Sequence, residues 1–217
     1  MIGWRDIARA LLLVGLLAAW NATSDKLYEV FDADRAGSPL KLPLILLGTL
    51  VTYGGILALG CVRWGQHSLS ELGWSFIGWP RLIGVALLLT IAQSLLVFGA
   101  YAYMAGSEGV ASLAAAVAGL SSVERLFYFV MGAKVALLEE TLFRGDLLHA
   151  LRGRVSALLA VLGSSMVFAL YHRDLTPLPL LMKVVFGVMF AVATLRTRSI
   201  IPATIAHTAM WTIFANN

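Results

Sequence analysis

Long apolar runs follow one another from one end of this chain to the other, with short polar connections between them. Seven runs can be read, at about residues 7–22, 42–61, 82–105, 123–152, 155–172, 179–196 and 199–215. Each is near the ~20 residues an α-helix needs to cross a bilayer. The pattern therefore predicts an all-α fold, a polytopic transmembrane helical bundle of about seven spans, with 1–217 forming a single integral membrane domain. The fourth run is longer than a bilayer requires, so part of it must tilt or protrude. Ser121 and Glu124 stand at capping-box spacing at its start.

The connections differ in kind. Residues 23–41 (TSDKLYEVFDADRAGSPLK) mix charges with Gly37 and Pro39 and read as a solvated loop. Residues 62–81 carry Trp64, Trp74 and Trp79, which suits an interfacial segment. The Ala/Gly/Ser-rich stretch 106–122 reads as a short surface helix. The N-terminal run, with Arg5 and Arg9 before a short apolar core and small residues at Ala18, Ala19 and Ala22, shares features with a signal peptide; it is read as a retained first span.

Composition agrees with the pattern. Of 217 residues, 59% are hydrophobic and 13% charged, and mean hydropathy is +0.84; a soluble domain is nearer half apolar and a quarter charged. The net charge is +4 and the pI about 9.5. The basic residues sit between apolar runs rather than in clusters, which points to topology signals and away from nucleic acid. Arg5, Arg63, Arg81, Arg152, Arg154, Arg196 and Arg198 fall on one side, and Lys26, Arg35, Lys41, Arg125 and Arg173 on the other. The excess places the N-terminus in the cytoplasm and the C-terminus outside it. Cys61 is the sole cysteine, so an intrachain disulfide or zinc ribbon is excluded, and it reads as a buried small apolar residue.

Chemistry enters with ALLEETLFRG, residues 136–145, which sets Glu139, Glu140 and Arg144 inside the fourth run. A charge at the bilayer centre costs at least about 2.5 kcal/mol, so such residues face an interior, pair, or carry function. Glu140 and Arg144 are four apart with the acid first, the favourable order on a helix. Glu139 points away from Arg144 and has no such partner, which suits a general base. His172 ends the fifth run with Phe168 one turn earlier, and His207 lies in the seventh with Trp211 one turn later. At about 1.5 Å per residue from a shared end, Glu139 lies at roughly 20 Å, His172 at 26 Å and His207 at 12 Å, so three helices are expected to bring them into one layer. Lys134 and Lys183 read as snorkelling or structurally paired. His67 and His149 fall in or near connections, and Ser164 and Ser165 read as packing residues.

Taken in order, Glu139-Glu140-Thr141-Leu142-Phe143-Arg144, then Phe168-Ala169-Leu170-Tyr171-His172, then His207 resemble the EExxxR, FxxxH and final His of the CPBP (CAAX protease and bacteriocin-processing) family of intramembrane endopeptidases, with its Rce1-like and Abi members. The resemblance covers about residues 121–215, the expected catalytic core. It implies that Glu139 and His172 activate a water, that His207 stabilises the oxyanion, and that Glu140 paired with Arg144 braces the site beside Phe168. Trp211 departs from the family, which has Asn or a similar polar residue there; its indole N–H still donates. The implied activity is hydrolysis of a peptide bond in a membrane-associated peptide or protein, in a multi-pass protein of a prokaryotic inner membrane, without a cofactor. Two alternatives stay open. Zinc held by Glu139, His172 and His207 would make the enzyme a metalloprotease. A non-catalytic scaffold or small transporter would use the same polar groups without hydrolysis.

Overall fold

The computed structural model describes the backbone of residues 3–34 and 41–214, and the side chains of 3–20, 47, 48, 50–62 and 64–213. Among the described residues the secondary structure is entirely helical. The helices are α1 (Trp4–Asp34), α2 (Lys41–Leu57), α3 (Trp79–Gly119), α4 (Ser122–Glu140), α5 (Leu148–Arg152), α6 (Ala157–Tyr171), α7 (Pro177–Thr197) and α8 (Ile201–Phe214). A π-helical turn, Ala58–Trp64, extends α2, and another, Thr141–Leu147, joins α4 to α5 without a break. The helices thus follow the seven apolar runs, with α4 and α5 sharing one.

The capping box forms as the spacing predicts. Ser121 N donates to Glu124 Oε2 at 2.8 Å, and Glu124 N to Ser121 Oγ at 3.3 Å. The stretch 106–122 also holds a helix: α3 breaks at Gly106, whose φ of 62° suits glycine, and resumes to Gly119. The expected loop at 23–41 is corrected. Helix α1 runs on to Asp34, because Lys26, Leu27, Glu29 and Ala33 are helix formers and the breakers Gly37 and Pro39 come only later. Residues 35–40 lie outside the described residues.

Helices α3 and α7 are long and apolar enough to cross a membrane, and α6 is apolar but shorter. Their outward faces are oily: Leu87, Leu95, Leu158 and Leu181 are all exposed. The interior, by contrast, holds Arg9, Gln93, Glu139, Glu140, Arg144 and Asp146. Apolar outside and charged inside is the distribution a lipid solvent favours.

The centre of the bundle is the second half of α4 and its π turn. Residues 139–148 are buried without interruption, surrounded by α1, α2, α6, α7 and α8. Leu142, Phe143 and Leu147 pack with Leu13, Leu17, Tyr53 and Phe168 in the main core. The segment 65–78 folds over this turn. Leu72 enters the core, and its carbonyl lies so close to Gly145 that a Cβ there would come within 2.6 Å. Trp74 Nε1 donates to Thr141 Oγ1 at 3.2 Å, and Ile200 N to Gly73 O at 2.9 Å. The tryptophan-rich segment is therefore fastened to the helix that carries both glutamates.

Candidate active site

Glu139 and Glu140 are consecutive on α4, so their side chains leave the helix about 100° apart and meet different neighbours. Glu139 faces the two imidazoles. Its Oε2 lies 3.9 Å from His172 Nε2 and 3.9 Å from His207 Nε2. That atom is buried without a hydrogen-bond partner. At 3.9 Å neither imidazole bonds it directly.

Glu140 is fully buried, with an ion pair to Arg144 and a hydrogen bond to His207, although its Oε2 also lacks a hydrogen-bond partner. Arg144 Nε meets its Oε2 at 3.1 Å, and His207 Nδ1 meets its Oε1 at 3.0 Å. The i,i+4 pair survives although Arg144 stands in the π turn. The bond to His207 is new information, since the sequence offered only Arg144 as a partner.

Both imidazoles are oriented through Nδ1. His172 caps the end of α6, where its Nδ1 donates to the Phe168 carbonyl at 2.9 Å. A carbonyl only accepts, so this nitrogen carries the proton and Nε2 turns toward Glu139. His207 Nδ1 faces an acceptor carboxylate in the same way. His172 is the open member, its side chain 29% exposed against 10% for His207 and 7% for Glu139.

Phe168 is the shared platform. The Arg144 guanidinium lies 4.2 Å from its ring centre, a cation–π contact in a desolvated setting. The His172 ring stands edge-on at 4.7 Å and the His207 ring at 6.1 Å. One aromatic side chain thus limits Arg144, His172 and His207. Phe190, which the sequence did not distinguish from its apolar run, stacks on His207 at 5.7 Å and lies 5.2 Å from the Arg144 guanidinium.

The structure brings together Glu139, Glu140, Arg144, Phe168, His172 and His207. Trp211 lies one turn beyond His207 on α8. Its Cβ sits against Gly132, where an added Cβ would come within 2.3 Å; Gly132 is seven residues, about 10 Å, along α4 from Glu139. Lys134 is buried with Nζ 3.5 Å from Met131 Sδ. Lys183 pairs with Asp174 at 3.1 Å. Ser164 and Ser165 both donate to the Val161 carbonyl, and Cys61 is buried. Among the described residues, no group of three or more His, Cys, Asp or Glu side chains is arranged to hold a metal ion.

A second polar cluster lies beyond Arg144. Arg9, from α1, donates to Asp146 and to the Gly60 carbonyl, and its Nη2 lies 3.2 Å from His67 Nε2. Arginine only donates, so His67 accepts there. His149 approaches His67 edge-on at 6.0 Å. Both Arg9 and Asp146 are legible as charges in or beside apolar runs, by the criterion that singles out Glu139.

Residues 121–213 match the family of Type II CAAX prenyl endopeptidase Rce1-like proteins. The Rce1-like segment runs from the cap of α4 almost to the end of α8, so it holds Glu139, Glu140, Arg144, Phe168, His172 and His207. Helices α1 to α3 lie outside it. No curated protein and no solved structure matches the chain. The Rce1-like family is one of membrane-embedded proteases, and the match supports a peptidase acting on a membrane-associated substrate.

Proposed function

We propose that this protein is an intramembrane endopeptidase that cleaves a membrane-associated peptide or protein with a water activated by Glu139. The observation that carries the reading is the position of Glu139 Oε2, which lacks a hydrogen-bond partner and lies 3.9 Å from both Nε2 atoms. A water bound there can give one proton to Glu139 and direct its oxygen at a peptide carbonyl. His172, with its proton held on Nδ1, offers Nε2 to the second hydrogen of that water.

His207 serves the oxyanion. With both ring nitrogens protonated, Nδ1–H remains on Glu140 and Nε2–H is free to donate to the developing negative oxygen. In that state the charges of Glu139, Glu140, Arg144 and His207 sum to zero, which suits an apolar surround. The tetrahedral intermediate then collapses, the leaving nitrogen takes the proton from Glu139, and the products are a carboxylic acid and an amine. Arg144 on Phe168 holds Glu140, and Glu140 holds His207.

In this reading the chain crosses a prokaryotic inner membrane about seven times as one integral domain, with 121–215 as its catalytic core. A zinc-dependent variant has one observation in its favour. Both Nδ1 atoms are tied to oxygen acceptors, as metal-ligating histidines are. Ligands about 2.05 Å from a tetrahedral zinc lie about 3.4 Å apart, so these side chains would have to draw closer.

The test is mass spectrometry of membrane peptides from cells carrying either the native protein or Glu139→Gln. Cleavage products present only with the native protein support the proposal. Identical peptide sets, with both proteins folded and inserted, refute it.

A further inference from the structure

A separate pocket of about 460 Å³ touches Arg144 without touching Glu139, His172 or His207. It lies between residues 70–73, the π turn with α5, and the last turn of α7. Its polar lining includes Arg144, His149, Arg152, Thr194 and Arg198.

Two of these side chains are buried donors with nothing to donate to. Arg144 Nε faces Glu140 in an ion pair, and Nη1 and Nη2 are buried without hydrogen-bond partners. Thr194 Oγ1, on a residue 8% exposed, is also unpaired. A helical threonine hydroxyl ordinarily donates to the carbonyl four residues back. Thr90, Thr141, Thr197, Thr204 and Thr208 all do so. Thr194 has no such bond, and Thr194 and Arg144 both line this pocket. Two independent elements thus contribute residues with unpaired polar atoms to the wall of one space.

We propose that this pocket binds an anionic phosphate group, carried by a phospholipid headgroup or free in solution. Forked guanidinium donors with a hydroxyl beside them match the several acceptor oxygens of phosphate. Arg152 and Arg198 add positive charge to the walls. Glu71 is the one carboxylate in the lining, and its Oε2 accepts from Ser68 N at 2.7 Å and Ser68 Oγ at 2.8 Å, so three arginines stand against one acid. The pocket lies where α5 and α7 end among Arg152, Arg154, Arg196 and Arg198, the level at which headgroup phosphates meet a membrane protein. A phosphate there shares Arg144 with Glu140, so it steadies the brace of the neighbouring site. The binding inference itself does not depend on proteolysis.

The test uses the full chain in zwitterionic detergent, titrated with inorganic phosphate by calorimetry. A second arm places it in phosphatidylcholine vesicles with and without phosphatidylglycerol and counts retained lipid by native mass spectrometry. Three variants accompany the native protein: Thr194→Val, Arg152→Gln and Arg198→Asn, the last because asparagine tolerates the φ of 56° at that position. Saturable phosphate binding is expected, weakened about fivefold by Thr194→Val and about tenfold by either arginine variant, with unchanged circular dichroism. Retention of phosphatidylglycerol that the same variants abolish identifies the headgroup as the source. Phosphate binding without lipid preference identifies free phosphate. Absence of both, or binding that the variants leave intact, overturns the proposal.

Discussion

Arg9 on α1 and Asp146 in the π turn form a buried fork, Nη1 to Oδ2 at 3.0 Å and Nη2 to Oδ1 at 2.5 Å. Asp146 belongs to the Rce1-like segment and lies two residues beyond Arg144; Arg9 belongs to the helices outside that segment. The pair is therefore a specific tie between the N-terminal helices and the turn that carries the glutamate brace. Both members are nearly inaccessible, with 3% and 1% of their side-chain surface exposed.

Breaking that tie from one side should be worse than removing it altogether. Arg9→Met strands the Asp146 carboxylate in the core and is expected to cost about 3–5 kcal/mol, whereas Arg9→Met with Asp146→Leu should recover most of the loss. Denaturant unfolding in detergent measures both. Equal stability of the single and double variants would mean that the fork contributes no coupling.

The two adjacent glutamates should respond in opposite ways. Glu139→Gln removes a carboxylate whose Oε2 has no hydrogen-bond partner, so folding should be kept or slightly improved while cleavage falls by roughly 10²–10⁴-fold, the range for a general base. Glu140→Gln leaves buried Arg144 without its counter-charge and should cost about 3 kcal/mol of stability as well as activity. Cleavage assays paired with thermal unfolding separate the two outcomes. Cleavage by Glu139→Gln at the native rate would remove Glu139 from the chemistry.

Much of this arrangement was written in the order of residues. Apolar runs marked the helices because lipid-facing and core-facing positions are both oily, so run length alone reports them. Spacing assigned Arg144 to Glu140 because i,i+4 neighbours meet on any helix. The bond from His207 to Glu140 was hidden, since it joins residues 67 positions apart and depends on how α8 sits against α4. The π turn was hidden too, since no local signal in TLFRGDL announces it. Helix α1 outran its expected end because charged residues that look like a loop are also good helix formers.

Trp211 stands one turn past His207, with its Cβ close against Gly132. Trp211→Phe keeps most of the packing surface and loses the indole N–H, so turnover should remain within about threefold of the native rate if that N–H serves no oxyanion; loss of an oxyanion donor costs roughly 10²–10³-fold. Gly132→Ala drives a methyl into the Trp211 Cβ and should destabilise by about 1–3 kcal/mol through overpacking. Steady-state kinetics settle the first expectation, and thermal unfolding the second.

Metal removal probes the chemistry from another direction. If Glu139 activates water unaided, dialysis against a strong chelator should leave the cleavage rate unchanged, and added zinc should not raise it. If the zinc variant operates, the rate falls with chelation and returns on stoichiometric addition, and the purified protein carries one metal per chain by elemental analysis.

The connection between α6 and α7 carries a pH dependence whose direction is fixed. Asp174 lies two residues past His172 and accepts from the Thr176 hydroxyl, from Thr176 N at 3.1 Å and from Lys183 Nζ at 3.1 Å. These donors, the Thr176 hydroxyl foremost, hold its carboxyl at about 2, against an ordinary 3.8. A carboxylate whose folded value is depressed adds stability above its unfolded value and loses it as pH falls through the folded one. The contribution should therefore be complete above about pH 5, fade between about pH 4 and 2, and vanish below. Asp174→Asn keeps the shape and removes the charge. Its stability deficit relative to the native protein, followed by unfolding across that range, should be constant at neutral pH and close to nothing near pH 2. A deficit that persists undiminished at pH 2 would assign the effect of the substitution to lost hydrogen-bond geometry rather than to the charge.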